Sequence, residues 1–133
     1  GLQIQRGIVT DRWLTSSDPH IHALGDCAEV QGLVLPFVMP LMYAGRSLAR
    51  TLAGDRTPVR YPVLPVVVKT PACPLVIAPP PPQAKGEWTC EPVIGGIRAL
   101  FRDPAGALLG FALSGAATSE KQTLAKAIPP VLD

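Results

Sequence analysis

Residues 4 to 17 alternate around Gly7, with Ile4 and then Ile8-Val9-Thr10 strand-like and a turn at Asp11-Arg12. A shorter stretch, His20 to Leu24, interleaves Ile21 and Ala23 with His22 and stops at Gly25-Asp26, where a tight turn is expected. It reads as a short buried strand. A loop over 31–39 precedes a helix predicted over 40–53. Leu41, Ala44, Leu48 and Leu52 recur at helical spacing on one face, and Arg46 and Arg50 lie four apart on another. Pro40 suits the first helical position, whose N–H has no intrahelical partner, and Gly54 suits a left-handed cap.

The composition shifts after Asp55. Thr57-Pro58 and Tyr61-Pro62 mark a linker, placing a domain boundary near residue 57. Beyond it, strands are predicted at 63–69, 75–78, 87–92, 97–102 and 108–113, the last two joined in a hairpin by Asp103-Pro104-Ala105-Gly106. Pro79 to Pro82 reads as a polyproline II excursion. A closing helix is expected over 119–128, with Ser119 or Thr118 as N-cap and Leu124, Ala127 and Ile128 facing inward, stopped by Pro129-Pro130. The fold class is therefore α+β. Residues 57–133 form a small antiparallel-sheet-plus-helix domain. Residues 1–56 supply a few strands and one helix that cannot bury themselves and would complete a larger sheet.

The chain has 133 residues, 47 % of them apolar, with 17 % charged and a net charge of +2, which excludes a disordered polyelectrolyte. There is no basic stripe for nucleic acid. The longest apolar run, Val63 to Val68, contains Pro65 and falls far short of the roughly 20 residues that span a membrane. No secretory h-region is present, and the start without Met in a strand-like stretch reads as a cut chain. Cys27, Cys73 and Cys90 form no CxxC pair, so small buried thiols in a reduced, cytoplasmic protein are expected. His20 and His22 have no apparent third ligand, and no metal is expected.

The informative segment is Thr15-Ser16-Ser17-Asp18-Pro19-His20-Ile21-His22-Ala23-Leu24-Gly25-Asp26-Cys27-Ala28-Glu29, followed by the helix begun by a proline. It resembles the second FAD-binding motif of flavoprotein reductases with two dinucleotide domains. That resemblance implies that residues 1–56 are the end of an FAD-binding, Rossmann-like domain. Gly25 would let the backbone approach the cofactor, and Asp26, at the carboxyl end of a strand, would hold the ribityl chain. The helix at Pro40 would aim its positive end at the flavin pyrimidine edge, with Val38 and Met39 in backbone contact. By itself Asp26 also fits a turn-forming or capping aspartate.

Val66-Val67-Val68-Lys69-Thr70-Pro71-Ala72-Cys73-Pro74-Leu75 with the proline run is similar to the C-terminal domain of rubredoxin–NAD reductases. The tail, Gly110-Phe111-Ala112-Leu113-Ser114-Gly115-Ala116-Ala117 with Glu120-Lys121, agrees, as does the opening Arg6-Gly7-Ile8-Val9-Thr10-Asp11. The resemblance implies electron flow from NADH or NADPH, held by domains absent here, through FAD to rubredoxin. Lys69 would lie against the flavin; read alone, it is equally a strand-end lysine reaching into water. No residue need act as nucleophile or general acid, and the piece alone should be inactive. The chain lacks a GxGxxG loop, a redox cysteine pair and a C-terminal histidine motif, which argues against a disulfide reductase. Ferredoxin or another acceptor, and a module used only for partner contacts, are the alternatives. An unpaired sheet edge would favour self-association.

Overall fold

In the computed structural model, which describes residues 1–133, the chain forms two units: Gly1–Pro62 with Val131–Asp133, and Val63–Pro130. The architecture is mixed α/β, with a five-stranded antiparallel sheet, a two-stranded parallel pair and two α-helices.

Unit 1 begins with strand β1, Ile8–Thr10, which pairs in parallel with β2, Ala28–Val30. Between them, Asp11 organises a turn. Its Oδ1 accepts the backbone N–H of Trp13 and of Thr15, both at 2.9 Å. The turn holds Leu14 at φ 67°, a conformation a branched side chain rarely adopts, and Leu14 is wholly buried there. The strand expected at His20 to Leu24 does not form. Only an isolated bridge joins Thr15 to His22, and Ile21 is exposed. The extended segment instead follows Gly25-Asp26, as β2, all three of whose residues are buried.

Helix α1 covers Val38–Leu52, so Pro40 is its third residue and not its first. The proline is still tolerated, because first-turn amides have no intrahelical acceptor. Of the face expected to be buried, Ala44 is buried and Leu48 half-buried, while Leu41 and Leu52 are exposed. The inward face is turned toward Pro40, Ala44, Ser47 and Thr51. Its two hydroxyls bind the following segment: Ser47 Oγ donates to the Pro58 carbonyl at 3.4 Å and Thr51 Oγ1 to that of Thr57 at 3.2 Å. Val59 and Tyr61 are then buried, and residues 131–133 return to this unit through paired backbone bonds between Tyr61 and Leu132.

Unit 2 contains β3 Val66–Val68, β4 Leu75–Ala78, β5 Glu87–Val93, β6 Gly96–Arg102 and β7 Leu108–Gly115, in the antiparallel order β3-β4-β7-β6-β5. The period-two pattern of the central strands builds its core. Val76 and Ala78 of β4, Phe111 and Leu113 of β7, and Leu100, Leu108 and Ala117 form one buried cluster, and Leu124, Ala125 and Ile128 pack against it. Each large side chain fully buried there is worth about 1.5–3 kcal/mol. The β6–β7 hairpin closes as expected: Asp103 Oδ1 accepts the N–H of Ala105 at 3.0 Å and of Ala107 at 2.8 Å. The prolines at 79–81 carry no regular element, and a turn follows, closed by Ala84 N–H to the Pro81 carbonyl at 2.9 Å.

Three expectations for this half change. The first strand shortens to three residues, since Pro65 has no N–H for the ladder. The closing helix becomes a 3-10 segment, Ala116–Glu120, leading into α2, Lys121–Lys126. Ser119 is not its N-cap; its hydroxyl donates back to the Ala116 carbonyl at 2.9 Å, and Ala125 packs inward where Ala127 was expected. The cysteines are not buried: Cys27, Cys73 and Cys90 are all free and exposed. Cys90 lies on the edge strand β5, whose residues are nearly all exposed, and Trp88 there meets the Phe101 ring edge-on at 5.4 Å.

Candidate functional site in the Gly25–Asp26 turn

Gly25, Asp26 and Cys27 form a 3-10 turn that enters β2, so Asp26 precedes a strand instead of ending one. Gly25 has φ +78°, and a Cβ on it would meet Leu41 Cδ1 of α1 at 3.3 Å. A side chain is thus disfavoured there by both backbone and space. The same turn packs against the first part of α1. A small cleft beside it is lined by Gly25, Ala28, Pro40, Leu41 and Tyr61. Burial pushes the Tyr61 hydroxyl pKa above its ordinary value.

The Asp26 carboxylate is exposed. It differs from the turn-forming aspartates of this chain. Asp11, Asp18 and Asp103 each accept backbone N–H bonds within their own turns, whereas Asp26 makes no such bond and caps no helix. The N-terminus of α1 is likewise open. Phe37, its N-cap residue, contributes no side-chain bond, no acidic residue occupies the first turn, and the Phe37 N–H is taken by the Leu35 carbonyl. Because Pro40 has no N–H, the free first-turn donors are the amides of Val38 and Met39, whose side chains are exposed. An acceptor carboxylate and two uncapped amides at the positive end of a helix suit a ligand offering hydroxyls and a partial negative charge. These features fit the polyol chain and ring edge of a flavin.

Unit 1 therefore brings Gly25 against Pro40 and Leu41 of α1, with Asp26 in the same turn as Gly25 and with Val38 and Met39 in the first turn of that helix. Lys69 belongs to unit 2, exposed just past β3, at the start of a loop in which Thr70 Oγ1 donates to the Cys73 carbonyl. Sequence reasoning missed Glu29. It is buried in β2, and its Oε2 accepts the backbone N–H of Arg6 at 2.9 Å and of Gly7 at 3.3 Å. The available signal was an acid between two apolar residues directly after the turn. No group of three or more His, Cys, Asp or Glu side chains is placed to hold a metal, and no helix is long and apolar enough to cross a membrane.

The family described as "Rubredoxin binding C-terminal domain" matches residues 58–128. Among curated relatives, the "Rubredoxin-NAD(+) reductase" of Alcanivorax borkumensis is 52 % identical over 132 residues, which is 99 % of this chain and 35 % of that protein. The protein of the same name from Acinetobacter baylyi is 44 % identical, over 99 % of this chain and 34 % of its own. The chain thus spans about a third of the length of the curated relatives it matches. The solved NADH:rubredoxin oxidoreductase of Clostridium acetobutylicum shares the fold, with a TM-score of 0.75 at 18 % identity, over 96 % of this chain and 33 % of that one. The similarity to rubredoxin-NAD(+) reductases runs over 99 % of the chain, and the family model covers more than half of it: the chain belongs to the family of rubredoxin-binding C-terminal domains.

Proposed function

We propose that this chain is the C-terminal part of an FAD-dependent reductase that passes electrons from NADH or NADPH to rubredoxin. In this reading residues 1–56 end a Rossmann-like FAD-binding domain and residues 57–133 form the rubredoxin-side domain, in a cytoplasmic enzyme. The observation that carries the cofactor half is the unengaged Asp26 carboxylate, in a turn packed against α1, together with the uncapped start of that helix. Support for the acceptor half comes from the family match over residues 58–128.

Flavin supplies the hydride and single-electron chemistry, and the residues of this chain supply binding and electrostatics. Asp26 would accept hydrogen bonds from the ribityl hydroxyls, and the left-handed Gly25 would let the backbone approach. The amides of Val38 and Met39, at the positive end of α1, would favour negative charge on a ring held there. Pro40, the third residue of the helix, adds no third donor. The Lys69 ammonium favours the electron-loaded state and attracts an acidic partner. None of these residues moves a proton or attacks substrate.

The test uses the full-length protein: its visible spectrum, then NADH-dependent reduction of rubredoxin. Asp26→Ala is expected to lose bound FAD. Lys69→Ala is expected to keep FAD yet reduce rubredoxin about tenfold more slowly, the loss of one charge-assisted contact. A colourless protein, or one whose flavin is indifferent to Asp26, overturns the cofactor assignment. Normal rubredoxin reduction by Lys69→Ala removes that residue from the electron path.

A further inference from the structure

We propose that Glu29 is a positioning residue that fixes the Asp26 turn, an inference that rests on the reading of Asp26 as the ribityl anchor. Glu29 is only 3 % exposed, between buried Ala28 and Val30. A carboxylate in such a place needs donors. It takes them from the backbone, as Oε2 accepts the N–H groups of Arg6 at 2.9 Å and Gly7 at 3.3 Å. The Arg6 guanidinium does not pair with it; Arg6 Nη2 donates at 2.6 Å to the Gly32 carbonyl, just beyond β2. The carboxylate and the guanidinium therefore pin the 6–7 loop to the central residue of β2 and to the backbone two residues past its end.

That loop is a wall of the Asp26 turn. A Cβ on Gly7 would lie 2.9 Å from the Cys27 carbonyl oxygen and 3.1 Å from the Ala28 carbonyl carbon. The backbone of Gly7 is thus pressed onto the residue that follows Asp26. On the other side, Gly25 abuts Leu41 of α1. The turn is gripped between the 6–7 loop and the helix, and the Glu29 carboxylate holds the first of these in place. Glu29 touches no ligand itself; removing its carboxylate frees the loop and lets the Asp26 carboxylate wander.

The experiment measures FAD binding to the deflavinated full-length protein, together with circular dichroism of the bound flavin. Wild type is set beside Asp26→Ala, Glu29→Ala, Glu29→Gln and the Asp26→Ala/Glu29→Ala double variant. Glu29→Ala is expected to weaken FAD binding about tenfold and to change the flavin dichroism. Glu29→Gln, whose amide oxygen can still accept from Arg6 and Gly7, should recover part of the loss. In the double variant Glu29→Ala should add less than about twofold to the effect of Asp26→Ala, since it acts through that residue. Full additivity of the two losses overturns the positioning role while leaving Asp26 as the anchor. Unchanged binding in Asp26→Ala overturns the anchor and this inference with it. Should Glu29→Ala fail to fold, Glu29→Gln carries the comparison: its partial loss of flavin affinity should shrink in the Asp26→Ala background, and no loss at all, or the same loss in both backgrounds, would overturn the positioning role.

Discussion

The two units are alike in length and both bury apolar side chains, but their segments are placed in different ways. Unit 2 closes five strands over one apolar cluster built around Phe111, Leu113 and Val76. Unit 1 has only a pair of three-residue strands, and its irregular segments are placed by side chains bonded to backbone: Asp11, Ser16, Asp18, Glu29, Ser47 and Thr51. Apolar burial is non-directional and fixes a fold without fixing any single atom. Hydrogen bonds to named amides fix individual turns, which is what a cofactor-holding site needs.

The sharpest way to break this contrast is Phe111→Ala. The side chain is wholly buried at the centre of unit 2, and its loss is expected to cost about 3–5 kcal/mol. Hydrogen exchange in the full-length protein should show the loss in the amides of β4, β6 and β7; uniform loss over both units would mean that they do not open separately. Next in size is Asp11→Ala, which strands the Trp13 and Thr15 amides and releases Leu14 from its left-handed conformation. About 1–3 kcal/mol is expected, confined to unit 1, with a denaturation midpoint shift as the readout.

The strands of unit 2 were legible because they obey local rules: β4 and β7 alternate, and the Asp103 turn announces the hairpin. The helix α1 was legible to within two residues, but its inward face was not, because Ser47 and Thr51 are turned inward and half-buried by bonds to a linker that no periodicity shows. The strand β2 was missed for a similar reason. Its central residue is an acid whose donors, Arg6 and Gly7, lie more than 20 residues away. The turn at Gly25-Asp26 was placed correctly, but the strand was put on its wrong side, since Ile21 and Ala23 mimic alternation while only Ala23 is buried. Cysteine chemistry was misread because thiols are usually buried, whereas here Cys90 lies on an exposed edge strand.

The smallest of the expected effects concerns pH. The Tyr61 hydroxyl has its pKa raised from 10.0 by burial, so the folded state holds that proton more tightly than the unfolded one. Its contribution is fully present below about pH 10 and declines as the pH rises from there through the folded value. Stability of unit 1 should therefore fall above pH 10, and Tyr61→Phe should flatten that part of the profile. A slope unchanged by the substitution would assign the alkaline loss to another group.

The backbone bonds between Tyr61 and Leu132 join the points where the chain leaves unit 1 and comes back to it. Topologically, Val63–Pro130 is a loop whose two stems are fastened to each other, so its contents are interchangeable in a way that an appended tail is not. Since ends this close are spanned by a few residues, the loop can be excised and replaced by a short Gly-Ser bridge, or by a corresponding module from a relative. The same feature makes exchange of Val63–Pro130 a single-cassette operation.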